Sequence, residues 1–380
     1  MDREIVVFSD VHYSKNWDTI EKCLIKRQSS THSFLNPNKE LRHFIRRVNK
    51  SSTTGLVINN GDSVDYHFDD YSALKNLLKQ KPNSRRTSNW DHFNLDLQCL
   101  NKPYIAILGN HDYRKEAYNY NFWGTDHVNL SSRERKKYKN EIGHHAFRGP
   151  FELLSIMVNN KKFNPLKKCL GYKKRRHFIF GKYHCIFLNN GTDAFVKLRN
   201  IFKYIDKNLM PPILSYDLDG LKKKDLAYVS SCLSQMTGDH FLIFQHAPII
   251  NSKTVNLNKE YQLSTNLFRK STVKQNISYN TILNGGGRLL NILRKTAGNV
   301  TIVCSHTHAS KYFLIDKSSL AAKEVSAGDF NFEKNNPSYI KQVTTLPLGV
   351  IHKIEGGFKT GFLKINDQGF KEVVLKIFNK

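Results

Sequence analysis

Five short segments of this 380-residue chain place metal-binding side chains directly after apolar, strand-like runs. They are Asp10-Val11-His12, Gly61-Asp62-Ser63-Val64-Asp65, Gly109-Asn110-His111-Asp112, Gln245-His246-Ala247-Pro248 and Ser305-His306-Thr307-His308. The runs before them are Ile5 to Phe8, Leu56 to Ile58, Tyr104 to Leu108, Phe241 to Phe244 and Val300 to Cys304, all of β type. In open α/β sheets, ligands collect in the crevice at the carboxyl ends of strands. A chain with this pattern is constrained to bring five strand ends to one point. Carboxylate, imidazole and amide oxygen suit a hydrolytic metal pair, and no thiolate stands among them. Each segment alone has a plainer explanation, as a polar turn or a cap after a strand. Their order along one chain is what carries the reading.

The order and chemistry of these segments resemble the signature of the calcineurin-like metallophosphoesterases. That signature runs D-x-H, G-D-x-x-D, G-N-H-[DE], a lone His near the end of a strand, and G-H-x-H. The first three match in full, His246 is the lone histidine, and the fifth departs in one residue, with Ser305 in the place of Gly. Glycine permits a tight backbone path, so the departure predicts an altered loop there. The resemblance reaches from Ile5 to about Tyr312.

It implies an α/β fold, a four-layer αββα sandwich of two mixed sheets with insertions. It also implies a ligand set. One divalent ion would take Asp10, His12, Asp62 and His308; the second would take Asp62, Asn110, His246 and His306, with Asp62 bridging. The family uses Mn²⁺, Fe or Zn²⁺, and Mn²⁺ is the expectation here. A hydroxide held between the two ions attacks phosphorus in such sites. His111 matches the catalytic histidine that protonates the leaving oxygen, and Asp112 matches the acid that orients it. Asp65 reads as a supporting carboxylate behind the ligands. His67, His127, His144 and His145 read as surface or loop residues.

Length allows a substantial core, and five motifs that must meet in space argue for one catalytic domain over residues 1–380, carrying insertions. Six cysteines, at 23, 99, 169, 185, 232 and 304, form no C-x-x-C pair. That is unlike a disulfide framework or a structural zinc site and suggests reduced thiols in a cytosol. Met1 to Glu4 leaves no room for a secretory leader before the first strand. No run approaches the roughly 18 apolar residues of a membrane helix. The expectation is a soluble cytoplasmic protein; its oligomeric state is not legible.

The formal net charge is +27. Such a balance raises encounter rates with anionic partners, although a Lys- and Asn-rich composition accounts for part of it. The excess is concentrated: from Tyr113 to Lys182 there are 17 Lys or Arg against 5 Asp or Glu. This 113–182 insertion interleaves the charges with Tyr118, Tyr120, Phe122, Trp123, Tyr138, Phe147 and Phe151. Cations position phosphates and aromatics stack on bases, which makes Lys173, Lys174, Arg175 and Arg176 candidate substrate contacts. A solvated basic face over a small aromatic core explains the same residues.

Elsewhere, apolar spacing predicts helices over Asp18 to Gln28, Lys39 to Lys50, Tyr71 to Leu78, Asp217 to Met236 and Arg288 to Lys295. Lys79 to Asn94 reads as a polar loop. His177 to Asn190 reads as a hairpin about Gly181-Lys182, ending in Asn189 and Asn190 where the family often has an acid. A second, polar insertion over 251–287 would rim the site. Beyond Ala309 the chain reads mostly as strand, closing in a hairpin about Asn366 to Gly369.

The functional expectation is a metal-dependent phosphoester hydrolase, tilted by the basic insertion toward a phosphodiesterase acting on a nucleotide or nucleic acid. The fold does not choose the substrate. A phosphomonoesterase for a protein or small metabolite is the rival within the class. A catalytically silent phosphate- or nucleic-acid-binding protein on the same fold is the rival outside it.

Overall fold

Alternating burial along the first strand sets the architecture. In β1 (Glu4–Phe8), Ile5 and Val7 face one apolar cluster while Val6 and Phe8 face another. A strand buried on both faces belongs inside a layered structure. The computed structural model describes residues 3–14, 17–18, 21, 35–65, 88–113, 175–189, 221–235, 240–250, 260–263, 286–349 and 358–378.

Five strands form one sheet: β1, β2 (Thr54–Asn60), β3 (Tyr104–Ile107), β12 (Phe358–Asn366) and β13 (Gly369–Phe378). Their order is β13-β12-β1-β2-β3, with β1, β2 and β3 parallel and the closing hairpin antiparallel. The second sheet has eight: β4 (Arg175–Phe180), β5 (Tyr183–Leu188), β6 (His240–Gln245), β7 (Glu260–Gln262), β8 (Asn299–Cys304), β9 (Lys311–Asp316), β10 (Ala321–Val325) and β11 (Tyr339–Thr344). They run in the order β4-β5-β6-β8-β11-β9-β10-β7, with β5, β6, β8 and β11 parallel. Both sheets are mixed.

The layers follow from the side chains. Ile5, Val7, Ile58 and Leu363 of the first sheet pack on Phe187, Phe244, Val303 and Val343 of the second. On the outer face of the first sheet, Val6, Phe8 and Val57 meet α1 (Pro37–Lys50) and α2 (Asn89–Leu97). On the outer face of the second, Phe241, Ile243 and Ile302 meet α3 (Lys223–Gln235) and α4 (Gly286–Leu293). The result is helix, sheet, sheet, helix.

α1 forms because its sequence meets every local requirement. The Asn36 side chain caps Asn38 N and Lys39 N, and Pro37 opens the first turn. Leu41, Phe44, Ile45 and Val48 then make one buried stripe. The polar loop expected over Lys79 to Asn94 is corrected in its second half. Ser88 and Asp91 build a reciprocal capping box that starts α2, and Trp90 and Phe93 bury against α1's neighbours. A short α5 (Ala327–Phe332) also interrupts the strand-rich C-terminal part. The expected helix over Tyr71 to Leu78, residues 114–174 of the basic insertion, and 251–259 and 264–285 of the polar one lie outside the described residues. Among the described residues no helix is long and apolar enough to cross a membrane.

At the end of the sandwich remote from the motif loops, the space between the sheets is polar. His240 is 3 % exposed, with Nε2 at 3.0 Å from Thr301 Oγ1. Lys341 is fully buried and donates to Asn336 O at 2.7 Å. Burial first, and then the positive charge of Lys341, pushes His240 down to about 3. It is therefore neutral in the folded protein, while in the unfolded chain it gains a proton below about 6.5. Stability linked to His240 is complete above that pH and falls by about 1.4 kcal/mol per unit on acidification until the folded value is reached. Urea denaturation of wild type and His240→Gln at pH 7, 5.5 and 4.5 checks this. The variant should lose less stability across that window, and parallel pH profiles would exclude the linkage.

Candidate metal centre

All five motif loops emerge at one edge of the sandwich, where β1, β2 and β3 of one sheet and β6 and β8 of the other end. Backbone hydrogen bonds stitch the loops before any side chain is considered. Val11 N and His12 N both donate to Asp62 O, at 2.9 and 3.1 Å, and Ser305 N donates to His246 O at 2.9 Å.

The loop backbone is strained where the candidate ligands sit. Asp10, His12, Asp62, His306 and His308 have φ of 50°, 52°, 53°, 70° and 55°. Leu320 is the one other non-glycine with positive φ among the described residues. A left-handed conformation is uncommon for residues with a Cβ and costs on the order of 1–3 kcal/mol each. It turns each side chain inward in a single residue. Two glycines supply the close approach this needs. Gly61 is at φ 101°, and a Cβ there would lie 2.6 Å from His246 Nδ1. A Cβ on Gly109 would collide with Asp62 itself.

Three groups of side chains converge. Asp10, His12 and His308 form one, Asp62, His246 and His306 a second, and His12, Asp65 and His111 a third, with ligand atoms within 4.8 Å of one another in each. In the first group, His308 Nε2 stands 3.3 Å from His12 Nε2 and 3.4 Å from Asp10 Oδ1. In the second, His246 Nε2 is 3.0 Å from Asp62 Oδ2, which is also 3.9 Å from His12 Nε2. Asp62 therefore stands between the first two groups. Asn110 is buried beside it, flanked by Gly109 and by His111, whose N–H donates to Asp62 Oδ1 at 2.8 Å.

These side chains fit a pair of cations. Imidazole nitrogens and carboxylate oxygens are packed together in a largely buried site, and Asp10 Oδ1 and His12 Nδ1 are buried without a hydrogen bond. Burial pushes the Asp62 carboxyl up, but His246 and His111 more than reverse this and hold it well below the ordinary range. Asp10 is likewise held low by His308 against its burial. His306 is pushed well down by burial and by His246, which keeps its ring neutral and able to donate a lone pair. Metals require neutral imidazole and ionised carboxylate, and His246, pushed down by burial but raised to about 9 by Asp62, gives up that extra proton when it ligates.

Asp112 was expected to orient His111, and the geometry corrects this. Asp65 Oδ1 lies 2.7 Å from His111 Nδ1, with Asp65 O at 3.1 Å. Asp65 also lies 3.7 Å from His12 Nδ1, so one carboxylate faces both histidines. The oxygens of Asp112 instead accept from Val64 N at 3.0 Å and Gly109 N at 2.9 Å. Asp112 fastens the β2 loop to the β3 loop, and burial together with the charge of Asp62 raises it to about 8. In sequence the two acids cannot be told apart, because Asp112 is adjacent to His111 and Asp65 is 46 positions away.

Nothing in the ligand pattern of the sequence marks Asn60, Asn189 or Ser305 as site residues. Asn60 Nδ2 reaches across the sandwich to Gln245 O and Val303 O, both at 3.2 Å. Asn189, in the place of an expected acid, accepts from Leu108 N with its Oδ1. The available signal was polarity where a buried strand should be apolar: Asn59 and Asn60 end β2, and Asn189 follows β5. Of the four basic residues offered as substrate contacts, Lys173 and Lys174 lie outside the described residues. Arg175 is engaged structurally, donating to buried Asp225 at 2.7 Å and lying over the Tyr228 ring. Arg176 follows it at the start of β4, whose first residues pair with the end of β5 on the loop-bearing edge.

A family model described as calcineurin-like phosphoesterase matches residues 3–340. The chain belongs to that family, and it is a phosphoester hydrolase with a candidate dinuclear centre. Among solved structures it is similar to a dimetal phosphatase from Danio rerio, at 12% identity and TM-score 0.46, covering 99% of each chain. It is also similar to the calcineurin-like phosphoesterase YfkN from Bacillus subtilis, at 12% identity and TM-score 0.35, covering 98% of this chain and 88% of that one. No curated protein sequence matches it. Both TM-scores are below 0.5, so the family assignment rests on the sequence match.

The two acids separate by experiment. Asp112→Ala leaves two buried backbone N–H groups unpaired and should lower stability by about 2–5 kcal/mol. Asp65→Asn should leave thermal stability nearly unchanged but lower turnover in the pattern of His111→Ala, by roughly 10²–10⁴-fold on esters with poor leaving groups and less on p-nitrophenyl esters. Melting curves and a leaving-group series on all three variants check the assignment, and a leaving-group-dependent loss confined to Asp112→Ala would reverse it.

Proposed function

We propose that this protein is a two-metal phosphodiesterase whose substrate is a nucleotide or a nucleic acid, with Mn²⁺ as the working metal. The single observation that carries the hydrolytic part is Asp62, a buried carboxylate standing between Asp10, His12 and His308 on one side and His246 and His306 on the other. In this reading Asp10, His12, Asp62 and His308 hold one cation, and Asp62, Asn110, His246 and His306 hold the other. Bound there, two divalent cations supply an activated water and neutralise charge on the phosphoryl group.

The chain's own residues do the rest. Asp62 fixes the spacing of the two ligand groups, because its side chain faces both and its carbonyl oxygen holds the β1 loop. His111 is the proton donor to the leaving oxygen. Asp65 on Nδ1 keeps the proton there and leaves Nε2 as the exchanging nitrogen. The buried position of the centre excludes bulk water from the donors, which strengthens each electrostatic contact.

The diester preference rests on charge. The excess of 17 cations over 5 anions in residues 113–182 directly follows the His111 loop and returns to the loop-bearing edge at Arg176. A cytoplasmic setting is supported by thiols: Cys99, Cys185, Cys232 and Cys304 are all free. The monoesterase reading has the same centre and differs in substrate alone.

Chelation should abolish hydrolysis, with Mn²⁺ restoring it. Asp62→Asn should be more damaging than His308→Ala, since both ions depend on that carboxylate. Full activity in a metal-free sample verified by elemental analysis would sink the two-metal reading. For the substrate, turnover is compared on bis-p-nitrophenyl phosphate, p-nitrophenyl phosphate, cyclic nucleotides and single-stranded DNA. A diesterase favours the first, third or fourth over the second. Affinity for a labelled single strand should fall steeply with salt, and charge reversal at Lys173, Lys174 and Arg176 should flatten that slope while sparing the small diester. Faster turnover of the monoester, with oligonucleotide binding indifferent to the reversals, would favour the monoesterase.

A further inference from the structure

Ser305 occupies the position at which the family signature has glycine, and it is fully buried between the sheets. Ser305 is absent from the residues with positive φ, whereas His306 and His308 just after it are among them. The loop therefore accommodates a side chain at 305 without a left-handed backbone at that residue. The hydroxyl that results is not idle. Ser305 Oγ lies 2.9 Å from Asn60 O, 3.1 Å from His246 Nδ1 and 3.2 Å from Asn60 Nδ2.

The sense of each bond follows from what the partners can do. A carbonyl oxygen accepts only, so the serine proton goes to Asn60 O. An amide NH₂ donates only, so Asn60 Nδ2 fills one lone pair of Oγ. The other lone pair meets His246 Nδ1, which must then carry the ring proton. Asn60 O, 3.0 Å from the same nitrogen, imposes the same requirement. With Nδ1 committed to these partners, the nitrogen left to face a cation is Nε2, which is the one beside Asp62 and the His306 group. The three residues also come from the ends of β2, β6 and β8, so this triangle crosses from one sheet to the other.

We propose that Ser305 is a positioning residue for His246, holding, together with Asn60 O, the ring orientation in which Nε2 faces the second cation. The proposal rests on the two-metal reading above. Partners behind a ligating histidine set its orientation and basicity, and their removal typically weakens metal binding by about 10–100-fold. A tie that served only to hold the sheets together would lower stability without singling out one ion.

The test uses the full-length chain, as wild type, Ser305→Ala and Ser305→Gly, the last restoring the residue of the family signature. Zn²⁺ is titrated against a chromogenic chelator, the melting point of the metal-free protein is recorded, and ring ¹⁵N shifts of His246 are read in zinc-loaded, histidine-labelled protein. The expected result is two ions per wild-type chain, and in both variants one ion weakened by about 10–100-fold while the other is unchanged. Equal weakening of both ions, or unchanged affinities with only a lower melting point, would overturn the proposal. The shifts are read on wild type without any variant: Nδ1–H with metal on Nε2 is expected, and metal on Nδ1 overturns the proposal even if a variant does not fold. A wild-type chain that binds fewer than two ions removes the two-metal reading itself, an outcome distinct from the others.

Discussion

Asp62 is where the two halves of the molecule meet. Its side chain is 1 % exposed, and each of its oxygens has a separate task. Oδ1 takes the His111 N–H, Oδ2 faces His246 across the sandwich, and the carbonyl oxygen holds Val11 N and His12 N. A buried carboxylate is tolerable only when surrounded by donors and positive charge. Satisfying that one group brings the ends of β1, β3 and β6 to the end of β2. The left-handed turns at Asp10, His12 and Asp62, and the glycines at 61 and 109, follow as the means by which the backbone gets there.

Around this point the sandwich is held by polar ties where most cores are apolar. Asn60, Asn189 and Ser305 each hydrogen-bond from one sheet or its loop to the other. Apolar packing such as Phe187 on Phe244 with Ile58 is non-directional and would tolerate small slides of one sheet on the other. Hydrogen bonds between strand ends do not. Registration at the centre is thus directional on its loop-bearing edge and hydrophobic below.

Much of this was legible beforehand for identifiable reasons. The ligand loops announced themselves because metal chemistry restricts residue type and strand ends restrict position. α1 and the closing hairpin were legible because helical stripe, cap and turn residues agree locally. The start of α2 was not, since Ser88 to Asn94 is polar and its helix depends on a capping box and two aromatics, Trp90 and Phe93. The partner of His111 was hidden for a different reason. Sequence adjacency favoured Asp112, whereas the left-handed Asp62 turn carries Asp65 back beneath the imidazole. Long-range geometry of that kind leaves no local trace.

The pairing of β1 has a kinetic consequence. β1 lies between β2 and β12, and Glu4 is tied to Lys364, 360 positions along the chain. The backbone of the Asp10 loop is likewise closed from far away, by Leu348 N on Ser9 O and Gly349 N on Asp10 O. During synthesis β1 can find β2 early, but its other edge stays open and adhesive until β12 has emerged. The Asp10 loop is thus translated long before the segment that frames it. A nascent chain of this design depends on slow, distant closure, and its exposure to chaperones and to misassembly is greatest in that interval.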